Sequence, residues 1–171
     1  MDWRLHRAGP ADAAALSLVA GATFLEAFVG ILDGPDIVAH VTRNSSVAAF
    51  EAYLAGGAIA TLATAGVGAA PIGYTLLTAP DLPVALEPGD VELKRIYALF
   101  PTHGTGLGPA LMARAIEDAR SAGRRRLLLG VYGGNRRAQR FYEKQGFVVA
   151  GTRRFLVGAT WHDDLIYARA I

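Results

Sequence analysis

Two periods organise the apolar residues of this chain. Short stretches of alternating or continuous apolar character fall at 3–7, 58–64, 71–78, 91–100, 127–131, 147–157 and 160–169, and predict strands. Stretches with helical spacing fall at 10–29, 36–42, 45–55, 109–122 and 135–145. Within 109–122, Leu111, Met112, Ala115, Ile116 and Ala119 share one face, and Arg114, Glu117, Asp118 and Arg120 lie opposite. The unbroken apolar run 127–131 predicts a central strand covered on both sides.

Glycine and proline punctuate these stretches. Pro10 opens the first helix and Asp33-Gly34-Pro35 ends it. Gly56-Gly57 makes a turn, and 65–70 joins two strands into a hairpin. Pro80, Pro83, Pro88 and Gly89 mark 79–90 as a loop, and the last two strands close around Gly158. The order is that of an α/β (α+β) protein, a mixed sheet with strands before and after a βαβα centre. No repeat or linker divides it, so 1–171 reads as a single domain.

Composition narrows the classes. With 171 residues, 52% hydrophobic and 19% charged, the chain can bury a core and does not resemble a disordered one. It has no cysteine, which excludes a disulfide scaffold, a thiol nucleophile and thiolate metal sites, and suits a reducing, cytoplasmic setting. The first seven residues lack the apolar core of a signal peptide. Residues 13–32 are apolar enough to raise a membrane question. Glu26, Ser17 and Thr23 interrupt them, and Leu16, Val19, Phe24, Phe28 and Ile31 recur at helical spacing, so a helix of a soluble fold is the better reading. A net charge of +2 argues against nucleic acid as a partner. Arginine is concentrated at Arg124, Arg125 and Arg126 and at Arg136, Arg137 and Arg140. No His/Asp/Glu group has metal-ligand spacing, so no metal is expected, and His6, His40 and His162 read as structural or exposed.

The chemistry concentrates at His103-Gly104-Thr105-Gly106-Leu107-Gly108, between a strand and a helix. Glycines let the main chain approach a ligand closely, and free N–H groups at a helix start favour a phosphate. Two familiar phosphate loops are excluded. A dinucleotide fingerprint starting at Gly104 needs glycine where Pro109 stands, and a P-loop needs glycine and lysine where Pro109 and Ala110 stand. Downstream, Gly133-Gly134 make a turn, Asn135 is a good helix N-cap and Gly146 a good terminator of the helix that carries Phe141-Tyr142-Glu143-Lys144.

Glycine loop, helix, apolar strand, asparagine cap and Phe-Tyr-Glu-Lys-Gln-Gly-Phe at 141–147 together resemble the GCN5-related N-acetyltransferase (GNAT) superfamily, most closely over residues 90–150. The resemblance implies a mixed, mostly antiparallel sheet splayed between its fourth and fifth strands, with flanking helices and acetyl-CoA as co-substrate. It implies that His103, Gly104, Thr105, Gly106, Leu107 and Gly108 hold the pyrophosphate, with Arg136 or Arg137 adding positive charge. Asn135 and Ala138 would contact the coenzyme arm. Tyr97, Ala98 and Leu99 would offer main-chain groups to pantetheine and the acetyl carbonyl, from a strand that commonly bulges there. Tyr142 occupies the place of the general acid. A phenol, with a pKa of about 10, can protonate a departing thiolate whose own pKa is roughly 8.5. His103 departs from the usual Gln or Arg, and Pro109 removes one N–H from the phosphate-facing turn. Glu92 is the candidate base, acting through water, with Asp90, Asp163 and Asp164 as rivals.

Within the superfamily, Glu92 to Leu99, Leu128-Leu129-Gly130-Val131-Tyr132, Phe155-Leu156-Val157-Gly158 and Thr23 to Phe28 resemble the PaiA-type polyamine (spermidine) acetyltransferases. A polyamine site should present carboxylates, for which Asp33, Asp36, Asp81, Glu87, Asp90 and Glu92 are candidates. The expected partner is a small-molecule amine, with no nucleic acid or membrane. A protein amine or a silent acyl-CoA-binding module is the alternative. Homodimers are common in the superfamily, though no segment here demands one.

Overall fold

Every segment expected to be extended joins one sheet. The computed structural model describes residues 2–157 and 159–171, so Gly158 lies outside the described residues. In chain order the elements are β1 (Trp3–Arg7), α1 (Ala13–Phe28), α2 (Gly34–Asn44), α3 (Val47–Ala55), β2 (Ile59–Ala65), β3 (Ala70–Thr78), β4 (Asp90–Ala98), α4 (Leu107–Ser121), β5 (Arg126–Tyr132), α5 (Arg136–Lys144), β6 (Val148–Val157) and β7 (Thr160–Ala170). The seven strands run in the order β1-β2-β3-β4-β5-β7-β6. All neighbours are antiparallel except β4 and β5.

The helices cover the two faces unequally. On one face α4 and α5 bury Met112, Ala115, Ala119 and Tyr142 against Leu93, Leu127, Leu129 and Tyr167. On the other, α1 and α3 bury Leu16, Val19, Ala20 and Phe50 against Leu62, Tyr74 and Leu76. The helical run Pro10–Phe28, which contains α1, is long and apolar enough to cross a bilayer, but its buried stripe is used in this packing. The rest of that face, over β5 and β7, is covered by a loop whose Leu82 and Val84 pack on Leu128, Ile166 and Ala168.

Two boundaries on either side of the glycine loop differ from the sequence pattern. β4 stops at Ala98, and a short turn at Phe100–Thr102 built on Pro101 intervenes. α4 starts at Leu107, so Pro109 is its third residue and not its first. Leu107 is fully buried beside Leu111 and Ile72, and this anchor sets the helix start earlier. A proline in the first turn has no amide that would need a helical partner, so its place is comfortable.

The parallel pairing of β4 with β5 lasts only from Asp90↔Arg126 to Glu92↔Leu128. Beyond it the strands part as a V. In β4 the register against β3 jumps between Leu76↔Arg95 and Leu77↔Leu93, which leaves Lys94 as a bulge. The expected bulge at 97–99 thus sits earlier, where the strand begins to turn away. A side-chain latch holds the closed end. Arg126 donates to both oxygens of Asp90, at 2.8 and 2.7 Å, and Asp90 also accepts from Glu87 N at 2.7 Å. The hydrogen bonds from Arg126 hold the Asp90 carboxyl below its ordinary pKa, against the opposing effect of burial. Stabilisation from such a depressed carboxyl is present above its unfolded pKa and lost as pH falls. Arg126→Gln should therefore lower the stability at pH 7 by about 2 kcal/mol. The gap between variant and wild type in urea unfolding should close below roughly pH 3.

Candidate active site

The glycine loop follows the mouth of the V. Gly104 and Gly106 both have left-handed backbone, with φ of 82° and 89°. A side chain there would meet no neighbour, so backbone conformation and not space requires glycine. Gly108 is different. Its φ is not left-handed, and a Cβ on it would rest 3.8 Å from the Phe141 ring, an ordinary contact. Thr105 secures the loop by donating its hydroxyl to Thr102 O at 2.7 Å. The first helical amide bond is Ala110 N to Gly106 O. Among the described residues, the N–H groups of Gly104, Gly106, Leu107 and Gly108 have no partner, and Pro109 has none to offer. The result is a cluster of bare amides at a helix N-terminus, which suits an anion.

β4 supplies a second set of free groups. Leu99 N donates to Ile72 O, and Leu99 O accepts from Thr102 N and from its hydroxyl, so Leu99 is fully engaged within the chain. Strand alternation turns Tyr97 the same way as Leu99, toward β3, and turns Ile96 and Ala98 toward the V. Of the three expected positions, Ala98 faces the gap. Its carbonyl accepts from His103 Nε2 at 3.0 Å, which fixes the proton on that nitrogen. Burial and the charge of Arg137 lower the His103 pKa, although Ala98 O and Glu26 oppose this. His103 is thus a neutral donor at pH 7, and the positive charge near the loop comes from Arg137 on α5. Glu26 on α1 accepts from Phe100 N at 2.9 Å and ties the loop's approach to the opposite face.

α5 faces the loop across the V. Asn135 caps it, its Oδ1 accepting from Ala138 N at 3.0 Å, and so only the Asn135 NH2 is left for a ligand. Each residue of the 141–147 motif has a separate task. Phe141 backs Gly108, and Glu143 accepts from the Tyr167 hydroxyl at 3.0 Å. Gly146 takes φ 81° beyond the helix, and Phe147 is buried. Tyr142 lies among Phe141, Phe147 and Tyr167, 8% exposed. Burial, and then the nearby Tyr97 hydroxyl, push its pKa well above that of a free phenol. Its hydroxyl has no hydrogen-bond partner among the described residues.

Glu92 is not an exposed strand-end acid. It is 2% exposed, accepts from Asp81 N at 2.8 Å and lies 3.9 Å from Lys94 Nζ. It is also the last β4 residue to pair with β5, so it marks the apex of the V. Its rival Asp90 is tied up in the latch. Asp164 is buried on β7 and paired with Arg153 at 3.2 Å.

Comparison with known proteins agrees with this geometry. The acetyltransferase (GNAT) family profile matches residues 27–147. Uncharacterized N-acetyltransferases of Mycobacterium tuberculosis and Mycobacterium bovis are each 38% identical over 160 residues, 94% of this chain and 98% of theirs. The chain belongs to the GNAT acetyltransferase family. Its fold is similar to that of the PaiA N-acetyltransferase of Thermoplasma acidophilum in complex with coenzyme A, with TM-score 0.82 and 20% identity over the whole of both chains. A Salmonella typhimurium structure with its cofactor acetyl-CoA matches at TM-score 0.70 and 19% identity, covering 99% of this chain and 94% of that one.

The face of the cleft opposite the glycine loop had almost no signature in the sequence. Past the V, on the face of α1 and α2, an aromatic wall gathers residues from distant segments. His40 stacks on Phe24 at 4.2 Å and meets Phe155 edge-on at 6.3 Å. Phe28 lies 6.4 Å from Tyr132, whose ring meets His162 at 5.6 Å. Arg95 reaches Asn44 O, Ser45 and Tyr53 and pins the junction of α2 and α3 to β4. Only the helical recurrence of Phe24 and Phe28 hinted at this wall.

Two outcomes follow from the backbone and the wall. Gly106→Ala should cost about 1–2 kcal/mol, because an L-residue is forced left-handed, while Gly108→Ala should stay within about 0.5 kcal/mol of wild type; paired thermal melts test the contrast. Burial first, then Arg95 and Arg43, push the His40 pKa down to about 4. The unfolded chain therefore takes up that proton first, and stability is lost as pH falls from roughly 6.5 toward 4. His40→Phe keeps the stack and removes the titration. Its urea midpoint should fall less than that of wild type between pH 7 and pH 4.5.

Proposed function

We propose that this enzyme transfers the acetyl group of acetyl-CoA to a primary amine of a small molecule by direct attack. The observation that carries the proposal is the continuity of unsatisfied polar groups from the glycine loop, along the open edge of β4, to Glu92 at the apex. The bare amides at Gly104, Gly106, Leu107 and Gly108 fit a pyrophosphate, with Arg137 as the nearby cation. The groups of Ile96 and the N–H of Ala98, whose carbonyl is taken by His103, fit the amides of a pantetheine arm, and the NH2 of Asn135 reaches it from α5. The two coenzyme-bound structures of the same fold support this reading.

The coenzyme supplies a thioester, and the chain supplies placement and protons. The amine nitrogen forms the new C–N bond as the C–S bond breaks. Main-chain N–H groups of the open strand offer hydrogen bonds to the carbonyl oxygen as it gains charge. Tyr142 gives its proton to the departing sulfur. Its phenol is protonated in the resting site, and burial makes it a weaker acid, so the transfer is driven by the charge that builds on the sulfur as the C–S bond breaks. Glu92 takes the proton of the attacking amine through water, because its buried carboxylate sits at the apex and is already oriented by Asp81 N.

A polyamine such as spermidine calls for free carboxylates along the cleft. Asp90 and Glu87 are engaged by Arg126, and Asp36 faces Ala159 N and the Thr160 hydroxyl. Asp33 and Asp81 keep carboxylates without a partner among the described residues, so two of the candidate anchors for a polycation are open. Thiol release from acetyl-CoA across a panel of amines and peptides tests the proposal. Turnover with small amines supports it, release with peptides alone favours a protein acetyltransferase, and tight coenzyme binding without turnover favours a silent module. Tyr142→Phe should lower kcat by roughly 10²–10⁴-fold with coenzyme affinity retained; an unchanged kcat would remove Tyr142 from the mechanism.

A further inference from the structure

Arg153 projects from β6 and crosses β7. Its Nε donates to Asp164 Oδ2 at 3.2 Å, and its Cζ lies 4.6 Å from the centre of the Phe155 ring. The guanidinium ends over β5. A Cβ built on Gly130 would fall 2.8 Å from Arg153 Cζ, so this position must be bare for the arginine to lie where it does. Gly130 is two residues beyond Leu128, where β5 leaves β4. At the rise of a strand, that places the guanidinium roughly 7 Å along β5 from the apex.

Two other cations near the cleft are engaged. Arg95 is bonded to Asn44 O, Ser45 and Tyr53, and Lys94 leans toward Glu92. Arg153 bonds through Nε alone. Its NH1 and NH2 have no acceptor among the described residues, although the side chain is only 17% exposed. Asp164, 5% exposed at its side chain, holds the Nε edge and leaves the two-pronged edge open. A planar fork, held at its Nε edge by a carboxylate and placed over an aromatic ring, is an arrangement that binds a carboxylate through two parallel hydrogen bonds.

We propose that Arg153, positioned by Asp164 and by the bare backbone of Gly130, binds a carboxylate of the acceptor, so that the substrate is an amine that also carries an acid, of amino-acid type. This rests on the acetyl-transfer reading and specifies its acceptor. The aromatic wall of Phe24, Phe28, Phe155 and Tyr132 then offers an apolar surface for the remainder of that molecule. His40, neutral at pH 7, adds no competing charge to the wall.

The test compares amino acids with their primary amides and with the matching decarboxylated amines, by acetyl-CoA-dependent thiol release. We expect kcat/KM to be about 10- to 100-fold higher for the acids, the range for a charged hydrogen-bonded pair, with the difference carried by KM. In Arg153→Gln the ratio of acid to amide should collapse toward one. Gly130→Ala keeps the charge but displaces the guanidinium, and should lower the ratio in part. Melting curves and coenzyme binding show whether each variant is folded. Equal use of acid and amide by the wild type, an unchanged ratio in Arg153→Gln, or spermidine preferred over every amino acid would overturn the inference. Absence of turnover with any amine would instead sink the acetyl-transfer proposal. The same series would then be read by calorimetric binding to the CoA-loaded protein, where carboxylate-selective binding lost in Arg153→Gln supports the assignment and its absence overturns it.

Discussion

A sheet that opens in its middle has a hydrogen-bonding problem. Main-chain N–H and C=O groups must find partners, and burying them without partners is costly. β4 and β5 are neighbours for three registers and then separate, so Ile96 and Ala98 face a gap where a strand would otherwise be. The opening is enforced from both ends. The Asp90–Arg126 latch fixes the closed end, and the bulge at Lys94 turns β4 away. Everything that can be argued about the reaction depends on this unmet demand. An elongated ligand with its own amides can answer it, and an apolar one cannot.

The glycine loop extends the same logic past the end of the strand. Two left-handed glycines turn the chain so that the next amides point outward together, at the positive end of α4. The departures from the family pattern are absorbed by this geometry. Pro109 gives up one donor at the third helical position, yet four neighbouring amides remain free among the described residues. His103, which is neutral, binds Ala98 O and orders the junction of strand and loop, while the local charge comes from Arg137. Positive charge and loop shape, usually combined in one residue at the head of the loop, are here divided between two segments.

The backbone features of the glycine loop and of the Asn135 cap were legible in the sequence, because each is local. Gly104, Gly106 and Asn135 announce a backbone conformation, and each residue does its work within a few positions of itself. The succession of strands and helices around the βαβα centre followed from periodicity for the same reason. The errors were also local. The start of α4 moved to Leu107 because a buried leucine outweighed proline as a helix marker, and the bulge moved to Lys94 because register is a property of a pair of strands. The burial of Glu92 had no local signal, since it depends on Asp81 approaching it from a loop.

The acceptor half could not be read in this way. Phe24, His40, Tyr132, Arg153 and Asp164 come from five elements, and no spacing links them. Gly130 shows why. In the sequence it is a weak point inside an apolar strand, of the kind that marks close approach by another group. The approaching group is a side chain two strands away, and only the sheet order β5-β7-β6 brings it there. The residues proposed to hold the coenzyme depend on backbone conformation, which each settles within a few positions of itself. Those proposed to meet the amine depend on one another across the sheet, so a change at Gly130, Arg153 or Asp164 is felt through the other two.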